Sequence, residues 1–187
     1  MEKQSYDFWY NNPKFDHLDQ FKEKYYVNDF YKNIVFNLNI PPVGNLVVAG
    51  TNRGVAFKLL CDHYGEKRCT GYDLFNPSEH SKIIIQDCMR LSKRNDYPIA
   101  FAHNDIGNFS DTPELKIHTQ KWLADNIVQG GYVLCNNNHN EANFNIEEYM
   151  EKNGFENTQL VDLDDGIFDL SNLPYELIKQ FMISRKL

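Results

Sequence analysis

Asn45-Leu46-Val47-Val48-Ala49-Gly50-Thr51-Asn52-Arg53-Gly54 opens as a short apolar run and closes on two glycines four positions apart. A continuous run of this length, rich in β-branched residues and stopped by glycine, reads as a strand buried on both faces. Glycine where a strand ends permits a tight turn and close approach of other backbone. From Gly54 to Tyr64 the period changes: Val55, Leu59, Leu60 and His63 fall on one stripe, and Gly65 follows as a stop. That is a helix. A buried strand, a glycine turn and a helix make the first half of a βαβ unit.

The rest of the chain repeats the alternation. Cys69–Asp73 (CTGYD) reads as a second strand, Lys82–Gln86 (KIIIQ) as a third, and Ile99–His103 (IAFAH) as a fourth. Met89–Arg94 can form a short helix. Thr112-Pro113-Glu114 combines an N-cap, a first-turn proline and a first-turn acid. The helix it opens carries Leu115, Thr119, Trp122, Leu123 and Ile127 on one face, with Gly130-Gly131 as its end. Tyr132–Cys135 is a fifth strand, and Asn145–Asn153 a helix closed by Gly154. Thr158–Asp162 and Gln180–Arg185 are the last two strands, read as antiparallel with Asp165-Gly166 as a turn between them. Alternation of this kind places helices on both faces of a mostly parallel sheet.

Residues 1–44 differ. They are crowded with aromatics, Tyr6 to Phe36, and carry no glycine before Gly44. Apolar residues at Phe15, Leu18, Phe21 and Tyr25 suggest one or two amphipathic helices, stopped by Pro41-Pro42. This segment reads either as a helical lid over the strand ends or as a cover for the sheet. Residues 45–187 form the α/β unit, the two parts making one compact domain. The 187-residue length suits a single domain.

Composition excludes several classes. A net charge of −7 with no basic cluster argues against a nucleic-acid partner and an anionic membrane surface. No apolar run is long enough to span a bilayer. MEKQSYDFWYNN lacks the apolar core of a signal peptide, and Cys61, Cys69, Cys88 and Cys135 have no CxxC spacing. A cytoplasmic setting is expected.

Ligands of such sheets sit at the carboxyl ends of the strands, near the point where strand order reverses. The turn from Gly50 to Gly54 is not a dinucleotide G-x-G-x-x-G, which would need glycine at Asn52 and Val55, and no G-K-[ST] is present. Asp73, 19 residues beyond Gly54 at the end of the second strand, is placed to accept both hydroxyls of a ribose, or to cap the turn at Asn76-Pro77. Asp87, after the third strand, can accept from an adenine amino group or cap the helix at Met89.

Together these residues resemble the class I S-adenosylmethionine-dependent methyltransferases. VVAGTNRG resembles their glycine-rich first motif, GYDLFNP their acidic second motif, and IIIQDC the adenine-holding segment. Asn104-Asp105-Ile106-Gly107 resembles the motif closing the fourth strand, and Gly130-Gly131-Tyr132-Val133-Leu134 the run into the fifth. The resemblance implies a Rossmann-like, doubly wound, seven-stranded sheet, mostly parallel with an antiparallel last strand. It implies S-adenosylmethionine as cofactor, held by Gly50, Thr51, Asn52, Gly54, Asp73, Leu74, Asp87, Cys88 and Asn104. It implies Asp105 and His139 as catalytic groups acting on a small-molecule methyl acceptor.

Two departures bear on this. Val48 stands where the family carries an acid that helps hold the cofactor's methionine end, and Asn52 replaces the middle glycine. A non-catalytic member serving as an interaction module, in a homodimer through the aromatic segment, is the alternative. Asp105 with Asn136, Asn137, Asn138 and His139 also resembles the Mg-binding positions of metal-dependent O-methyltransferases. One carboxylate among amides is a poor Mg²⁺ site, so no metal is expected. His103 and His139 both titrate near neutrality and are candidate bases. Asp162, Asp164 and Asp165 lack the spacing of a calcium loop.

Overall fold

A computed structural model describes residues 26–51, 54–74, 80–86, 88–91, 97–106, 113–136, 144–163, 167–171, 173 and 175–187. Seven strands form one sheet: β1 (Asn45–Ala49), β2 (Cys69–Asp73), β3 (Ile83–Ile85), β4 (Ile99–Asn104), β5 (Ile127–Asn136), β6 (Phe155–Gln159) and β7 (Phe181–Lys186). Their order across the sheet is β3-β2-β1-β4-β5-β7-β6. The first five run parallel, while β7 is antiparallel to both β5 and β6. The chain builds outward from β1 in one direction to β3, then returns to place β4 on the other side. The reversal leaves the ends of β1 and β4 side by side, with Asp105 N–H donating to the Ala49 carbonyl at 2.8 Å.

Both faces of the sheet are covered, as the double-sided apolar strands require. On one face Leu46, Val48 and Phe101 pack with Phe57 and Leu60 of α2 (Val55–Tyr64). On the other, Val47, Ala49 and Ala102 pack with Trp122 and Leu123 of α3 (Pro113–Asn126) and with Ile146 and Met150 of α4 (Ile146–Lys152). Phe57, Leu60, Leu123, Ile146 and Met150 are all fully buried. Each such side chain contributes about 1.5–3 kcal/mol of transfer free energy.

Helix α1 (Tyr26–Asn33) and the 3₁₀ turn Val35–Asn37 belong to this core. Tyr31, Ile34 and Val35 are fully buried in the first cluster, and the Phe36 ring stacks on His63 at 3.9 Å between centroids. The Arg68 guanidinium donates to the Pro41 and Gly44 carbonyls, tying the segment before β1 to the start of β2. This part of the aromatic segment therefore covers the sheet. The helix expected from Phe15 to Tyr25 lies outside the described residues.

Several boundaries depart from the sequence reading. Ile127 is the first residue of β5, and Gly130-Gly131 lies inside that strand. Ile99 pairs with Ile127 and Phe101 with Tyr132, so residues 128–131 bulge opposite Ala100. Gly130 has φ +76°, and a side chain on Gly131 would come within 2.8 Å of the Ala100 carbonyl. The pair of glycines makes a bulge where a helix stop was expected. Strand β6 starts three residues earlier than expected, and Leu160–Asp162 is a 3₁₀ turn. The link from β6 to β7 is no tight hairpin: it contains α5 (Tyr175–Ile178), and β7 inserts between β5 and β6. Asp165-Gly166 lies outside the described residues. Where a helix from Met89 to Arg94 was expected, Cys88–Arg90 forms a 3₁₀ turn, and residues 92–94 lie outside the described residues. All four cysteines are free, and among the described residues no helix is long and apolar enough to cross a membrane.

Candidate functional site at the strand ends

Gly50 leaves β1 with φ +84°. A Cβ there would lie 2.5 Å from the Asp105 carbonyl oxygen, so the β1 and β4 ends meet this closely only because residue 50 is glycine. Gly50 N–H donates to the Tyr72 carbonyl at 2.8 Å, and Gln86 N–H to the Asp73 carbonyl at 2.8 Å, which joins the ends of β1, β2 and β3. Thr51 is buried, and its hydroxyl donates to Asp73 Oδ2 at 3.3 Å. Asp73 Oδ1 accepts from Leu74 N–H at 2.7 Å. Gly54 caps α2, its N–H donating to the Thr51 carbonyl at 2.7 Å. Gly50, Thr51, Gly54 and Asp73 thus lie together at the ends of β1 and β2. Leu74 is exposed beside them, while the Cys88 side chain is buried in the second core cluster. Asn52 and Asp87 lie outside the described residues.

The end of β4 carries a different kind of site. Asn104 is fully buried and turns into the fold: its Nδ2 donates to Gln120 Oε1 at 2.9 Å, and its Oδ1 has no partner. His103 Nδ1 meets the Tyr31 hydroxyl at 2.8 Å. Among the described residues His103 Nε2 has no hydrogen-bond partner, and Asp105 Oδ1 stands 3.9 Å from it. Lys116, on the first turns of α3, is 4% exposed with an unpartnered Nζ.

Burial dominates the electrostatics here. It pushes His103 down to about 3, with the Lys116 charge adding to the effect. His103 is therefore a neutral imidazole, which corrects the expectation that it titrates near neutrality. Burial pushes Lys116 down to about 8, opposed by Cys135 and Asp105. Enclosure by the fold raises Asp105 to about 7, with Lys116 lowering it and Asp73 raising it further. Water still reaches 46% of the Asp105 side chain, which screens the shift.

His139, Asn137 and Asn138 lie outside the described residues. Among the described residues, no group of three or more His, Cys, Asp or Glu side chains is placed to hold a metal ion. Sequence reasoning missed Lys116 and Tyr31 as members of this site. Lys116 carried a signal, since it stands three, four and seven positions before Thr119, Gln120 and Leu123 on a helix face that is buried. Tyr31 carried none beyond its aromatic neighbours.

No protein-family model and no curated protein matches the chain. Solved structures do. The sugar N-methyltransferase KedS8 of Streptoalloteichus sp ATCC 53650 superposes over 100% of this chain and 95% of its own, with 11% identity and a TM-score of 0.59. An S-adenosylmethionine-dependent methyltransferase of Clostridium acetobutylicum covers 96% of this chain and 98% of its own, at 12% identity and a TM-score of 0.53. This chain has the class I methyltransferase fold. Similarity extends to an rRNA methylase of Streptococcus thermophilus, at 15% identity over 85% of this chain and 96% of that one, with a TM-score of 0.48.

Against the cofactor of that methyltransferase fold, the residues present fit the adenosine half. An ionised carboxylate offers about four lone-pair sites. Asp73 presents such a carboxylate at the end of β2, held on Oδ2 by the Thr51 hydroxyl and on Oδ1 by Leu74 N–H. At the methionine end Val48 is fully buried in an apolar cluster and provides no acid.

Proposed function

We propose that this chain binds S-adenosylmethionine across the ends of β1 and β2 and transfers its methyl group to a small-molecule acceptor at the end of β4. The observation that carries the reading is the Asp73 carboxylate, held by the Thr51 hydroxyl and Leu74 N–H beside the Gly50 turn. S-adenosylmethionine, when bound, supplies an electrophilic methyl on a sulfonium. The protein's part is mainly to align the acceptor and, where that acceptor is a hydroxyl or amine, to remove its proton. Asp105 is the group for that task. It lies at the switch point, water reaches its side chain, and its carboxyl is raised toward neutrality, where a general base works best. The net charge of −7 favours a small acceptor over nucleic acid.

Calorimetry with S-adenosylhomocysteine tests the cofactor assignment: binding is expected, and no heat at millimolar ligand overturns it. The buried Val48 favours a second reading, a methyltransferase-like module that serves for binding or interaction. S-adenosylhomocysteine that binds without turnover across hydroxyl, amine and thiol acceptors would select that reading.

A further inference from the structure

The orphaned His103 Nε2 beside Asp105 points to a support that reaches back into α1. Tyr31 is fully buried, and its hydroxyl is 2.8 Å from His103 Nδ1. A tyrosine hydroxyl can donate there, and a neutral imidazole that accepts on Nδ1 carries its proton on Nε2. The Nε2–H then faces Asp105 Oδ1 across 3.9 Å, and among the described residues no other hydrogen-bond partner is in reach of that nitrogen. The separation exceeds a hydrogen bond. Asp105 is the half-exposed member, so rotation of its carboxyl is the motion that closes the gap. Catalytic contacts of this kind are often long before the ligand binds. A buried donor without an acceptor carries a desolvation cost, which a turn of Asp105 removes.

We propose that Tyr31 and His103 are positioning residues for Asp105: the Tyr31 hydroxyl fixes the His103 tautomer, and the Nε2–H so fixed holds the Asp105 carboxylate in one orientation at the end of β4. This rests on the reading of Asp105 as the group that faces the acceptor. It makes α1, from the aromatic segment, part of the site through two residues that touch no ligand. The charged and titratable groups around Asp105 are His103 on its own strand, Tyr31 on α1, Asp73 on β2 and Lys116 on α3. Of these, His103 alone presents a nitrogen within 4.0 Å of the carboxylate.

Nitrogen-15 NMR of the histidine rings tests the arrangement in the unliganded protein, with a His103→Gln spectrum for assignment. The expected signature at neutral pH is a neutral His103 with its proton on Nε2. In Tyr31→Phe, which keeps the ring and removes only the hydroxyl, a population with the proton on Nδ1 is expected. The carbon-13 titration of the Asp105 carboxyl should also move upward there, because its anion loses a fixed donor. A wild-type His103 protonated on Nδ1 overturns the proposal even if Tyr31→Phe fails to fold. A folded Tyr31→Phe with both signatures unchanged overturns it as well. None of these readouts needs cofactor, so a failure here is distinguishable from a failure to bind S-adenosylhomocysteine.

Discussion

The end of β2 and the end of β4 are neighbours across β1, yet they are finished differently. At β2 both Asp73 oxygens are engaged by described donors, and Gly50 and Gly54 donate to the Tyr72 and Thr51 carbonyls. At β4 three buried polar atoms, His103 Nε2, Asn104 Oδ1 and Lys116 Nζ, have no partner among the described residues. Unsatisfied buried groups cost free energy. The first end is held by its own hydrogen bonds. The second keeps polar groups that destabilise the fold, the pattern expected where function retains them.

The sharpest break in this comparison is Gly50→Ala. It forces a side chain into positive φ and 2.5 Å from the Asp105 carbonyl, pushing the two ends apart. The expected loss is about 3 kcal/mol or more, read from a denaturant midpoint at unchanged slope. A loss under about 1 kcal/mol would mean the ends are not in close contact.

Asp73→Ala probes the cradle alone. Losing a charge-assisted acceptor should cost roughly 1.5–3 kcal/mol, or about ten- to a hundredfold in S-adenosylhomocysteine affinity by calorimetry, with little change in melting temperature. Unchanged affinity with a lower melting temperature would make Asp73 a structural cap.

Lys116→Met tests the cost at β4. Replacing a buried, unpaired ammonium by an apolar chain of similar length should stabilise the protein by about 2 kcal/mol near pH 7. The gain has a signed pH dependence. Lys116 titrates at about 8 in the fold and near 10.5 when unfolded, so the unfolded chain binds more protons between these values. Wild-type stability from this group therefore rises from about pH 8 to 10.5, and the variant should lose that rise.

The smallest expected effect is in the acid range, where two β4 groups oppose each other. His103, lowered from 6.5 to about 3, makes stability fall as pH drops through that interval. Asp105, raised above its ordinary 3.8, makes stability fall as pH rises between its unfolded and folded values. Asp105→Asn removes the second contribution, so thermal stability should fall more steeply from pH 7 to pH 4 than in wild type. A profile parallel to wild type would mean that Asp105 has an ordinary carboxyl.

The parallel strands, the glycine turn and the acid at the end of β2 were legible because each is written in consecutive residues. NLVVAG, CTGYD and IAFAH carry their burial and their ends locally, and Asn145 is seen capping α4 through Glu148 N–H. Boundaries failed where tertiary contact overrides local pattern. Gly130-Gly131 stops a helix or bulges a strand equally well, and only the Ala100 carbonyl beside it decides between them. The β6–β7 pair could not be read as separated by a helix, because Asp165-Gly166 imitates a hairpin turn.

By itself the sequence determined the class of fold, the order of its parallel strands along the chain, and the candidate residues of the β1–β2 cradle. Periodicity and turn chemistry are short-range properties, and those elements need nothing else. The tertiary structure alone decided that β7 slides between β5 and β6, that His103 is neutral, and that Lys116 and Tyr31 join Asp105. Each of these depends on groups brought together from distant positions: Tyr31 and His103 are 72 residues apart in the chain. Burial, which sets their charge states, exists only once the layers have closed.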